Sequence, residues 1–139
     1  MFVKQISVFL ENRIGRLHNL TETLAKNDVD LFSVTLADTQ DFGVVRCVTK
    51  DSAKALEVLK RAGFTVGVTD LVGVDVGDRP GALNEVLKYL EEGNFAVEYL
   101  YSFSRKAGQS ANILIKLDQP AAAAEYLKKH GVKLIEELM

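Results

Sequence analysis

A single cysteine, Cys47, occurs in the 139 residues, so no disulfide can form within the chain and no cysteine-rich metal motif is available. The two histidines, His18 and His130, have no Cys, Asp or His neighbour at metal-ligand spacing. No metal and no cofactor are therefore expected. No apolar run approaches the roughly 20 residues that a membrane-spanning helix needs. The opening MFVKQISVFLEN lacks the basic-then-apolar layout of a signal peptide. Long blocks of one charge are also missing: 17 basic residues face 19 acidic ones, for a net charge of -2. That balance excludes bulk electrostatic attraction to nucleic acid or to an anionic membrane. With nothing to direct the chain elsewhere, a cytoplasmic location is expected.

What is present suits a folded chain. A hydrophobic content of 47% can build a core, and 26% charge is a soluble balance rather than a disordered one. The length allows one ordinary domain or two small ones.

The patterning decides for two. VKQISVFL (3–10) is β-branched and aromatic, as a strand would be, and Leu17, Leu20 and Leu24 recur at helical spacing between Ile14 and Lys26. VDLFSVTLA (29–37) and GVVRCVT (43–49) form two strands around the turn DTQDFG. Asp51 and Ser52 start a helix that Gly63 closes, and FTVGVTD follows as a strand. The second half repeats this order: strand LVGVDV, helix PGALNEVLKYLEE, strands FAVEYLYSF and SANILIKL around SRKAGQ, helix PAAAAEYLKKHG, strand VKLIEEL. Gly15 matches Gly81, Leu17 matches Leu83 and Leu24 matches Leu90, all at an offset of 66; Leu59 with Leu127 and Gly63 with Gly131 match at 68. The two extra residues fall in the hairpin between the middle strands, where insertion is tolerated. Residues 1–70 and 71–139 thus read as two units of the α+β class. Each is a ferredoxin-like βαββαβ with a four-stranded antiparallel sheet and both helices on one face.

The loop between first strand and first helix reads ENRIGRL in one unit and GDRPGAL in the other. Such a motif entering a helix within a βαββαβ unit resembles the ACT domain family, and specifically its stand-alone tandem proteins. The resemblance covers essentially the whole chain, once per repeat. It implies a non-catalytic regulatory protein that binds a free amino acid and signals to an enzyme of amino-acid metabolism. It also implies that units pair side by side along the second strand into an eight-stranded sheet, and that the protein is a homodimer.

The chemistry of the loop agrees. The first N–H groups of a helix lack intrahelical acceptors, and the helix dipole places positive potential there, so a carboxylate is received well. Gly15 and Gly81 let a ligand approach the backbone, and Asn12 and Asp78 can accept a hydrogen bond from an ammonium group. Asn, Asp, Pro and Gly before an apolar run are equally the ordinary chemistry of a helix start. The pairing implied by the resemblance defines two unequal sites. One joins Asn12, Arg13, Ile14, Gly15, Arg16 and Leu17 to Asn94, Phe95 and Ala96. The other joins Asp78, Arg79, Pro80, Gly81, Ala82 and Leu83 to Asp30 and Leu31. Ile14 and Ala96 depart from the family pattern, which has Pro and often Asn there. Arg13 and Arg79 suit bidentate carboxylate binding, or are plain solvent-facing loop residues.

Two other classes stay open. Asn12 and Arg13 suggest an acylphosphatase-like hydrolase, but two adjacent loop residues make no catalytic constellation. An assembly module would use an exposed sheet face. Tyr99, Tyr101 and Phe103 alternate on one face, as an RNA-stacking platform requires, but the basic aromatic motif of such modules is missing from SANILIKL.

Overall fold

A computed structural model describes residues 2–38, 42–104 and 110–135. The chain divides into two compact units, one of Lys4–Thr69 and one of Met1–Val3 with Asp70–Met139. Each is built on the same plan.

In the first unit, β1 (Val3–Glu11), α1 (Arg16–Lys26), β2 (Leu31–Asp38), β3 (Phe42–Thr49) and α2 (Ser52–Arg61) lead into β4 (Thr65–Gly77). The strand order is β2-β3-β1-β4, with β1 and β2 both antiparallel to β3. Ile6, Val8 and Leu10 alternate along β1 and bury one sheet face, joined by Val45 and Cys47 of β3. Leu20 and Leu24 of α1 and Ala55 and Leu59 of α2 close over that same face, so both helices lie on one side of the sheet. Cys47 is a core residue, 1% exposed, and burial pushes its thiol up to about 11. Such a thiol stays protonated and chemically quiet.

The second unit repeats this with β4, α3 (Ala82–Glu92), β5 (Val97–Ser104), β6 (Ser110–Leu117), α4 (Pro120–Lys129) and β7 (Lys133–Leu134). Its order is β7-β4-β6-β5, again antiparallel throughout. Val72, Val74, Val76, Ile113 and Ile115 face Val86, Leu90, Ala123 and Leu127 of the two helices. The α+β class and the helices on one face are therefore as the sequence indicates.

Helix ends follow local chemistry. Asp51 accepts a hydrogen bond from the Lys54 amide at 3.1 Å and caps α2, while Pro120 occupies the first turn of α4. All four helices stop in the same way, on a left-handed residue: Asp28, Gly63, Asn94 and Gly131. The amide that follows each one reaches back to the last turn, at 2.9 Å (Val29 to Leu24, Phe95 to Leu90) or 3.0 Å (Phe64 to Leu59, Val132 to Leu127).

Several expectations shift. FTVGVTD and LVGVDV are one strand of 13 residues, β4, because no turn residue interrupts their alternation. Both motif helices begin two residues later than periodicity suggests, at Arg16 and Ala82, since the glycine before each is left-handed. Leu17 is not a core residue but is 39% exposed. In the closing segment VKLIEEL the strand covers Lys133–Leu134, the Ile135 amide donates to the Gly73 carbonyl at 2.8 Å, and residues 136–138 lie outside the described residues. So do most of the two hairpin turns, 39–41 and 105–109.

Candidate functional site

Each motif loop folds as a tight corner. In the first, the Arg13 amide donates to the Glu11 carbonyl at 2.8 Å and the Arg16 amide to the Arg13 carbonyl at 3.2 Å. In the second, the Ala82 amide donates to the Arg79 carbonyl at 3.2 Å. Gly15 (φ 91°) and Gly81 (φ 87°) occupy the N-cap positions in the left-handed region, and neither helix start has a side-chain cap. A left-handed N-cap excludes most residues on backbone grounds alone. An N-terminus without a side-chain cap leaves first-turn amides available to an external acceptor.

Around the shared backbone the side chains differ. Asn12, Arg13, Ile14 and Gly15 are exposed, as are Asp78, Arg79, Pro80 and Gly81. Arg13 pairs with Glu11 at 2.6 Å, and Arg79 pairs with Glu85 at 3.0 Å; all four side chains are largely solvated. Exposed pairs of this kind are weak, so either arginine can turn to a ligand carboxylate at little cost. Arg16 leaves its corner altogether: its guanidinium lies 5.1 Å from the centroid of the Phe64 ring, and its buried Nε finds no hydrogen-bond partner among the described residues. The matching Ala82 is buried, and Leu83 packs on the second core.

The strand starts differ too. Asp30 is exposed and Leu31 is half-buried. In the second unit Ala96 is exposed, but its amide donates to Asp118 Oδ1 at 3.0 Å and its carbonyl accepts from the Asp118 amide at 3.2 Å. The backbone of Ala96 is thus already engaged. A hollow of about 380 Å3, lined by Leu87, Leu90, Glu91 and residues 94–97, opens beside it.

The structure therefore gathers the backbone of Asn12–Leu17 at one corner and that of Asp78–Leu83 at another, with the side chains of Arg16, Ala82 and Leu83 directed elsewhere. It does not gather a corner with the strand start of its own unit. The two are separated by an 11-residue helix, α1 or α3, a span of about 16 Å.

Sequence reasoning missed three features: the stacking of Arg16 on Phe64, the engagement of Ala96 by Asp118, and the local partners of Arg13 and Arg79. The first left a trace, since Arg16 and Ala82 differ in size and charge at matched positions. Phe103 is 7% exposed, which removes one member of the aromatic row from any stacking role. Among the described residues, no cluster of three metal-ligating side chains and no helix long and apolar enough to cross a membrane occurs.

Comparison with known proteins places this geometry. No curated protein matches the sequence. A crystal structure of a Bacteroides thetaiotaomicron protein is 39% identical, with a TM-score of 0.92, over 97% of this chain and 92% of that one. The ligand-free regulatory subunit of aspartate kinase from Thermus thermophilus shares the fold at 14% identity and a TM-score of 0.62, covering 92% and 91% of the two chains. The corresponding subunit from Thermus flavus does so at 16% identity and 0.60, covering 93% and 92%. The family profile described as an ACT domain pair matches residues 1–138, and the chain belongs to that family.

Proposed function

We propose that this ACT domain pair is a non-catalytic regulatory protein that binds a free amino acid at its two glycine corners and passes the signal to an enzyme of amino-acid metabolism. The observation that carries the reading is the duplicated helix start: a left-handed glycine, no side-chain cap, and exposed polar residues immediately upstream. A ligand carboxylate meets first-turn amides and the positive end of the helix dipole, an interaction of about 0.3–1 kcal/mol at an exposed terminus. Asn12 or Asp78 accepts from the ammonium group. Aspartate kinase regulatory subunits share the fold, which supports a regulated partner of that metabolic class.

Because a corner lies a helix length away from its own strand start, a complete site takes the strand start of a different unit. The pairing expected from the family supplies it, with Asn12–Leu17 meeting Asn94–Ala96 and Asp78–Leu83 meeting Asp30–Leu31. Edge pairing through the second strand builds the eight-stranded sheet, within one chain or across a homodimer. Support comes from β2, which ends the strand order of its unit. Regulation then requires only that the ligand bind one pairing state better than another.

Thermal-shift measurement with each common amino acid tests the proposal. A ligand at 100 times its dissociation constant stabilises by about 2.7 kcal/mol, a rise in Tm that is easily read. A flat response to every amino acid contradicts it and favours an assembly module, which would capture a protein partner regardless of amino acid.

A further inference from the structure

Phe2 and Val3 do not belong to the unit that follows them in the chain. They group with Asp70–Met139, whereas β1 from Lys4 onward belongs to the first unit. The Phe2 ring packs on the second core, the cluster that holds Val72 and Val74 of β4 and Val86 and Leu90 of α3. Val3, only 4% exposed, serves the other face of the same sheet. Gly73 lies between the core residues Val72 and Val74, so its open side points away from the helices. A Cβ there would meet Val3 Cγ2 and Ile135 Cβ at 3.1 Å each. The missing side chain of Gly73 is thus the slot into which Val3 and Ile135 fit.

The fit is firm on one face and loose on the other. Phe2 is only half-buried, and its ring borders a groove of about 360 Å3 together with Ala121, Ala122, Ala124 and Leu134. A ring beside open space can leave its seat without a clash and return without strain. Val68 stands 66 residues on, at the matching position ahead of the second motif, and is 45% exposed. A residue leading into a first strand is therefore not buried as a matter of course, and the seating of Phe2 is particular to it.

We propose that Phe2 and Val3 form a latch on the second unit. Seated, they complete that unit and hold its glycine corner; released, they let it open while the first corner stands. The corner at Gly81 hangs between β4 and α3, and both contribute to the core that Phe2 touches. The corner at Gly15 leads into α1, whose Leu20 and Leu24 pack in the other core. Phe2 and Val3 therefore govern the corner farther from them in sequence, not the one that β1 runs into. Opening of one unit alone is a local equilibrium of the kind that amide exchange reads. The latch acts on the frame of the corner whether or not a ligand occupies it.

Amide hydrogen exchange followed by NMR on the full chain tests this, because the two corners carry matched reporters. The Asn19 amide donates to the Gly15 carbonyl at 2.9 Å, and the Glu85 amide donates to the Gly81 carbonyl at 3.1 Å. Leu24 and Leu90, each 1% exposed, are the matched residues farther along the two helices. Phe2→Ala and Val3→Ala should each speed exchange at Glu85 and Leu90 by about tenfold or more, and leave Asn19 and Leu24 within about twofold. Val68→Ala should leave Glu85 and Leu90 unchanged. Exchange that speeds at Asn19 and Leu24 instead, or equally at both pairs, overturns the latch. So does a second unit that ignores both substitutions. If the alanine variants fail to fold, Phe2→Leu, which keeps most of the apolar contact, decides by the same amides. Faster exchange confined to Glu85 and Leu90 then supports the latch, while no change, or a change at both pairs, overturns it. No ligand enters the measurement, so its outcome is separate from the success or failure of the amino-acid reading of the corners.

Discussion

The corners at Gly15 and Gly81 share a backbone and little else. Both glycines are left-handed, both helices end on a left-handed residue, and the turn bonds match to within 0.2 Å where they correspond. Around that frame the first corner projects Ile14 into solvent and sends Arg16 away to Phe64. The second stiffens its turn with Pro80, buries Ala82 and holds Glu85 in the first helical turn. A duplicated unit keeps what its backbone requires, while side chains that only face solvent or a ligand are free to diverge. On the proposed function, the common frame would receive a ligand at either corner and the divergent side chains would set the two affinities apart.

The frame's symmetry can be broken most severely in the cores. Leu24→Ala and Leu90→Ala remove matched side chains that are each 1% exposed, and each should cost about 2–5 kcal/mol in urea unfolding. Costs that differ widely would show that the two cores are not equivalent. Next come the glycines. A Cβ at Gly15 or Gly81 meets nothing within 4 Å, so Gly15→Ala and Gly81→Ala should each lose about 1–2 kcal/mol through backbone strain alone. A loss at one corner only would mean that the other relaxes. The second helix of each unit separates the repeats further: Asp51→Ala removes a side-chain cap and should cost about 1 kcal/mol. Gln119→Ala, where no such bond exists, should cost close to nothing. Between these two lies Arg16→Ala, which loses a cation–π contact worth about 0.5–1 kcal/mol.

Legibility followed the same division. Strand alternation, helix periodicity and the turn residues Gly63, Pro120 and Gly131 depend on near neighbours, so the βαββαβ order and its repetition could be read directly. The two helix starts at Gly15 and Gly81 could be located for the same reason, since a glycine between an apolar strand and an amphipathic helix marks the turn into the helix. Contacts between residues distant in sequence could not. Nothing near Arg16 announces Phe64, and nothing near Ala96 announces Asp118, because each contact is created by the closing of the fold. The late start of α1 and α3 was hidden differently. Ile14 and Pro80 fit the helical period, but the left-handed glycine after each bars the helix from including them.

Isothermal titration calorimetry, with whichever amino acid stabilises the protein, tests the central claim most directly. Two unequal corner sites are predicted, with Asp78→Ala removing the tighter and Asn12→Ala the weaker. Absence of binding by every amino acid, or two identical sites untouched by both substitutions, would contradict it.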